Sequence, residues 1–316
     1  MRISKTSAGS VCAFFIAIVY FFLSLRFYYY YTAGDLLIYR RFYDELNGVG
    51  ILGVPFLQSG YTNSTEPLYG LLMWIGSNLG IDHDLYLSVF NAVLIFVLVF
   101  WMMRERVGFA AQALILTNFY LFVLMTGAER LKFSYILILL SLVITVAILR
   151  RLAAIGALFA HFQTLLLYAG HFAPNIVSFL WRQSLLRRII GLSFFLAFLV
   201  GFWILFSDAL LGKFLAYEKN EFSILDVLNL LLLALLVLYV TRDKVQNFIS
   251  LLIFVAFAAV LGSERVNMIA VSLCVFLIIK DRRTKNPAFL SLLAYFSFKS
   301  IGFFADVVNY GTGFVN

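Results

Sequence analysis

Residues 85–130 read LYLSVFNAVLIFVLVFWMMRERVGFAAQALILTNFYLFVLMTGAER, and this stretch decides the architecture. Two apolar runs, 85–103 and 108–126, are separated only by the basic turn Arg104–Arg106 and are followed by the charged pair Glu129–Arg130. A helix that crosses a bilayer needs roughly 20 mostly apolar residues, and two such runs stand here back to back. The alternation continues outward on both sides, with runs at 11–31, 132–149, 152–172, 189–207, 224–240, 245–262, 266–279 and 287–304. Two shorter pieces, 67–80 and 174–187, are ambiguous: the first is re-entrant or interfacial, the second a tilted short span or an interfacial helix.

Composition agrees with this reading. Of the 316 residues, 63% are hydrophobic and 13% charged, against roughly 25% charged in a soluble domain. The mean hydropathy is +0.96. Thirty-five Phe and seventeen Tyr exceed what a water-soluble core of this size can hide. A cytosolic enzyme, a secreted disulfide scaffold and a nucleic-acid binder are thereby excluded, despite the net charge of +8. The two cysteines, Cys12 and Cys274, lie inside apolar runs, and no Cys/His spacing marks a metal site. The expectation is an all-α, polytopic helical bundle of about 10–12 spans, without a β domain, in one integral membrane domain over residues 1–316.

Lys and Arg fix the direction, because basic residues stay on the cytoplasmic side. The first run follows Arg2 and Lys5 and lacks a cleavage site, so it reads as a retained helix with an inner N-terminus. With 67–80 not crossing and 174–187 crossing, the turns Arg104–Arg106, Arg150–Arg151, Arg187–Arg188, Arg242–Lys244 and Lys280–Lys285 all face inward. Acids sort independently: of sixteen carboxylates only Glu105, Asp243 and Asp281 fall on that side. The opposite face carries an outer loop at 32–84, with interfacial helices, and a second at 207–223.

Several ionisable residues gather at the outer ends of different helices. In GDLLIYRRFYDELNG (34–48), a four-residue period puts Asp35, Tyr39 and Tyr43 (or Phe42) on one face and turns Arg40 and Arg41 elsewhere. Tyrosines there suit a headgroup belt, and a carboxylate can accept a proton or hold a sugar hydroxyl. Glu66 precedes Pro67, so helix capping and function are both sufficient explanations for it. Arg130 and Arg265 offer guanidinium forks matched to phosphate oxygens; the plainer alternative is a local ion pair with the neighbouring Glu. His161 falls within the run 152–172 and is a candidate base or donor. The pair Asp44–Glu45 is a weak match to the metal-binding acids of GT-C glycosyltransferases, and Asn63-Ser64-Thr65 a chance-level glycosylation triplet.

Taken in order, GD-x3-Y, EP-x-Y, an Arg after the third long helix, a His in an apolar helix and the late GSERVNM resemble bacterial polysaccharide polymerases over residues 34–280. These are the O-antigen polymerases (Wzy type) and the related exopolysaccharide polymerases (EpsG type). The resemblance implies a GT-C-like bundle in the bacterial inner membrane that works at the periplasmic face. It would join oligosaccharide repeat units carried on undecaprenyl diphosphate, with that diphosphate as leaving group and a chain-length regulator protein as a possible partner. Asp35, Glu66 and His161 fall on its acid–base positions, and Arg130 and Arg265 on its basic ones; Tyr39, Arg40 and Tyr43 are further candidates for substrate contact. No cofactor, metal or nucleic acid is called for. The alternatives are a metal-dependent GT-C enzyme using a polyprenyl-phosphate sugar, and a lipid-linked oligosaccharide transporter or flippase.

Overall fold

In the computed structural model, residues 5–182, 193, 224–261 and 263–313 are described. Among them are fourteen α-helices and one 3-10 turn: α1 (Lys5–Tyr30), α2 (Asp35–Glu45), the turn Ile51–Gly53, α3 (Val54–Thr62), α4 (Pro67–Asn78), α5 (His83–Arg104), α6 (Phe109–Leu116), α7 (Phe119–Thr126), α8 (Glu129–Val143), α9 (Ala147–Ala160), α10 (Thr164–Arg182), α11 (Ile224–Val240), α12 (Lys244–Leu261), α13 (Ser263–Lys280) and α14 (Pro287–Tyr310). The chain is a polytopic helical membrane bundle. Three of the described helices, α1, α5 and α14, are long and apolar enough to cross a bilayer, and α6 with α7, bent by 42° at their break, pass the same test only as a pair, a broken span or a re-entrant loop.

The chain divides into two compact units, residues 1–164 with 284–316, and residues 165–283. In the first, α5 is the central post: α1 and α8 pack along it, α9 pairs with α8, and α14 lies against α6 and α7. The outward sides of α1 and α14 expose Phe14, Phe15, Phe22, Phe298 and Ile301, which is where a membrane helix meets lipid. In the second unit, α11 buries Leu230, Leu233, Ala234 and Val237, the stripe expected of a helix seated on neighbours. Gly170 of α10 lies so close to α12 and α13 that an added Cβ would stand 2.6 Å from Phe254, 2.8 Å from Leu273 and 2.9 Å from the Ser250 carbonyl.

Several expected runs are cut differently. The run 108–126 breaks at Thr117–Asn118, where Asn118 caps α7 by accepting the Tyr120 N–H at 2.9 Å. The runs 132–149 and 152–172 are regrouped as α8, α9 and α10, with breaks at 144–146 and 161–163. Hydropathy sees neither break, since the side chains there are apolar or neutral. The segment expected at 174–187 has no separate start: α10 continues through Pro174 to Arg182. The expected run 189–207 and outer loop 207–223 lie, but for Ser193, outside the described residues.

The pairing of α8 with α9 decides which residues meet at the end of this unit. The two helices are antiparallel and joined by a 2.5 Å bond from Ser134 Oγ to the Ala157 carbonyl. With 15 and 14 residues they are nearly equal in length at ~1.5 Å per residue. The end of α9 therefore returns to the level where α8 begins. At the far end, Arg104 of α5 donates to the carbonyls of Leu142 and Val143, so α5 and α8 run parallel.

Candidate functional site

Three chain segments that are remote in sequence deliver polar groups to one end of the first unit. The turn before α4 brings Glu66, the first turn of α8 brings Arg130, and the end of α9 brings His161. Glu66 sits at the N-cap of α4 with φ −75° and ψ 107°, yet its side chain makes no capping bond. It turns into the protein instead. His161 leaves the helix with extended backbone, φ −160° and ψ 119°, and this frees its ring to face Glu66.

The carboxylate of Glu66 is fully buried and accepts four contacts. Oε1 meets His161 Nδ1 at 3.0 Å and Arg130 Nη1 at 3.3 Å. Oε2 meets Arg130 Nη1 at 3.0 Å and Gln58 Nε2 at 3.3 Å. Arg130 and His161 are themselves only 7% and 4% exposed. An ion pair removed from water persists only when its remaining lone pairs are bonded, and Gln58 supplies that bond from α3. An ionised Glu66 is acceptor-only, so His161 Nδ1 donates to it and the imidazole is held in one orientation. Its Nε2 faces the Gln163 side-chain amide at 3.1 Å. An amide offers either oxygen or N–H, which suits both a neutral and a charged imidazole. The bonds to Glu66 use Nη1 of Arg130 alone, and Tyr39 bonds the same guanidinium.

A second network adjoins the first through the sequence neighbours Glu129 and Arg130. Glu129 Oε2 accepts the Tyr69 hydroxyl at 3.1 Å, and its Oε1 lies 3.3 Å from His83 Nε2. His83 Nδ1 meets Asp84 Oδ1 at 3.0 Å. Arg40 grips Asp84 with Nε at 2.9 Å and Nη2 at 2.8 Å, and donates to the Tyr31 and Tyr28 carbonyls at 2.7 Å each. Lys132, fully buried, donates to Tyr28 Oη at 3.2 Å and the Met125 carbonyl at 3.0 Å. Burial, and then the charge of Glu129, push the Tyr69 phenol well above its usual range, so it stays a donor.

Of the residues expected from sequence, Glu66, Arg130, His161 and Tyr39 thus come together. Glu66 is not a cap, and Arg130 pairs with Glu66 rather than with the adjacent Glu129. Asp35 stands exposed in the first turn of α2, where a carboxylate complements the helix dipole. One four-residue step sets it about 40° from Tyr39 on a helix of 3.6 residues per turn, so the two share a face as expected, but Asp35 sits at the exposed start of the helix while the buried stripe is Leu36, Tyr39, Phe42 and Tyr43. The tyrosines are core, not a headgroup belt: Tyr43 packs on His83 and donates to the Ile81 carbonyl at 2.9 Å. Arg40 serves as the strut between α2 and α5. Asp44 and Glu45 are exposed, and Glu45 accepts the Tyr61 hydroxyl. Arg265 belongs to the second unit, on α13, and its side chain lies outside the described residues.

Sequence alone does not single out Gln58, His83, Asp84 or Lys132. Lys132 carries a usable signal, a cation at the head of an apolar run, which in a membrane protein is costly unless it has a task or a partner. Gln58 and His83 carry none beyond their residue type. Among the described residues no three His, Cys, Asp or Glu side chains converge as a metal site requires. Comparison with protein-family models, with curated proteins and with solved structures finds no match.

Proposed function

We propose that this chain is a polysaccharide polymerase of the bacterial inner membrane, transferring a glycan chain from undecaprenyl diphosphate to a hydroxyl of an incoming lipid-linked repeat unit at the periplasmic face. The observation that carries the reading is the buried Glu66 carboxylate held at once by Arg130 and His161 at one end of a membrane bundle. A histidine oriented by a carboxylate is a general-base arrangement, and a guanidinium is a diphosphate ligand. The acceptor hydroxyl takes the place of the Gln163 amide at His161 Nε2 and loses its proton to that nitrogen, while Glu66 stabilises the imidazolium. A bond forms from the acceptor oxygen to the anomeric carbon of the donor. The bond from that carbon to the diphosphate oxygen breaks, and the electron pair leaves with the diphosphate, whose charge Arg130 balances.

The test is complementation of a strain lacking the gene, with Glu66→Gln, His161→Gln and Arg130→Lys. Compared at matched membrane level, each variant is expected to show the polysaccharide ladder collapsed to a single repeat. Loss of a general base lowers transfer by about 10²–10⁴-fold. Full ladders from all three variants would refute the reading. A chelator should leave activity intact; its abolition by EDTA would favour the metal-dependent alternative.

The helix breaks at 117–118 and 161–163 favour a second reading, a transporter of lipid-linked oligosaccharide, since transporters bind substrate at interrupted helices. The same strains separate the two. A defective polymerase leaves single repeats on the outer face, whereas a defective transporter leaves lipid-linked units inside.

A further inference from the structure

Asp84 is clamped by two guanidinium bonds from Arg40 and is held as an ionised acceptor. Its contact to His83 therefore requires a proton on Nδ1. That assignment leaves Nε2 of a neutral ring as a lone pair, and Nε2 points at Glu129 Oε1 at 3.3 Å. Oε1 of an ionised Glu129 is also a lone pair. Two acceptors, on residues only 4% and 0% exposed, would face one another, and among the described residues neither atom has another hydrogen-bond partner. A buried polar atom left unsatisfied costs about 1–3 kcal/mol, so the arrangement calls for one further proton between them.

We propose that His83 and Glu129 form a proton-binding site, distinct from the Glu66–His161 pair, which holds one proton between Nε2 and Oε1. The proton rests either on the imidazole, as an imidazolium–carboxylate pair, or on the carboxyl as a neutral pair. The charged and titratable groups facing it are Tyr28 on α1, Asp84 on α5, Arg40 and Tyr43 on α2, Tyr69 on α4, and Lys132 on α8. Asp84, whose side chain is 27% exposed, gives the exchange path to solvent. The end of the bundle thus binds and releases a proton of its own, whatever chemistry the first cluster performs.

The experiment is spectroscopic and does not depend on glycosyl transfer. Full-length protein in lipid nanodiscs carries ¹⁵N-imidazole label on its three histidines, with His83→Gln and His161→Gln used only for assignment. At neutral pH the wild type should show either both nitrogens of His83 protonated, or Nε2 bare together with the infrared carbonyl band of a protonated buried carboxyl. In Glu129→Gln, whose amide can donate to Nε2, that proton should be lost from His83 and the carboxyl band should vanish, with the His161 and His171 resonances in place. A bare Nε2 with no protonated carboxyl in the wild type would overturn the proposal, and so would an imidazolium or a carboxyl band, whichever the wild type shows, that persists unchanged in Glu129→Gln. The wild-type measurement decides by itself if the Gln variant fails to fold.

Discussion

Arg130 and Glu66 are worth more as a pair than either is alone. Removing one partner of a buried ion pair strands the other charge, a loss of about 3–5 kcal/mol, whereas replacing both by neutral groups of similar size is often tolerated. Arg130→Met is therefore expected to lower the thermal transition of the purified protein sharply, and Glu66→Gln/Arg130→Met to recover most of it. Recovery of stability without recovery of polymer would mark the pair as functional. Equal melting of the single and double variants would show that Glu66 has other sufficient partners. Gly70 probes the same carboxylate from its far side. A Cβ there would stand 2.5 Å from Gln58 Oε1 and 3.0 Å from Val54 Cγ1. Gly70→Ala should push Gln58 off Glu66 and cost about 1.5–3 kcal/mol, the worth of a hydrogen bond to a charged group, read in the same melt.

At the scale of elements, the interruption between α9 and α10 carries a tertiary bond. No Pro or Gly lies at 161–163, the usual causes of a sharp kink. Out of the helix, His161 is tied to Glu66, 95 residues away, and this tie is expected to hold the break. His161→Leu removes that tie and leaves residues with no local reason to interrupt the helix. The amides of residues 161–164 should then gain protection from hydrogen exchange as α9 and α10 join. Unchanged or lower protection would mean that packing, rather than the histidine, sets the break. The break at Thr117–Asn118 has a local cause, since Asn118 caps the next helix, and should be indifferent to changes at Glu66.

For the whole molecule, the sorting of charges makes a claim about direction. α5 spans ~33 Å over its 22 residues at ~1.5 Å each. Its start lies in the polar cluster, and its end in the basic turn Arg104–Arg106. Basic residues stay inside, so the Glu66 cluster should face outward. With Cys12 and Cys274 replaced by Ser, a cysteine at Leu52, which is 85% exposed, should react with an impermeant maleimide from outside intact spheroplasts. A cysteine at Arg106 should react only after permeabilisation. The reverse pattern would invert the protein and end the periplasmic assignment.

The membrane class, the helical content, and the positions of α1, α5 and α14 were legible in the sequence because they follow from transfer of apolar residues out of water, a sum over neighbours that needs no fold. Glu66, Arg130 and His161 were legible as charges or rings in costly places. Their meeting was not. It depends on α8 and α9 being nearly equal in length and antiparallel, and on His161 leaving the helix, where its ring meets a partner 95 residues away. The same holds for Gln58 and His83, ordinary residues until the fold faced each with a buried carboxylate. Apolar burial adds up along the chain and is written there, whereas the pairing of buried charges depends on distances of about 3 Å that tertiary packing alone sets.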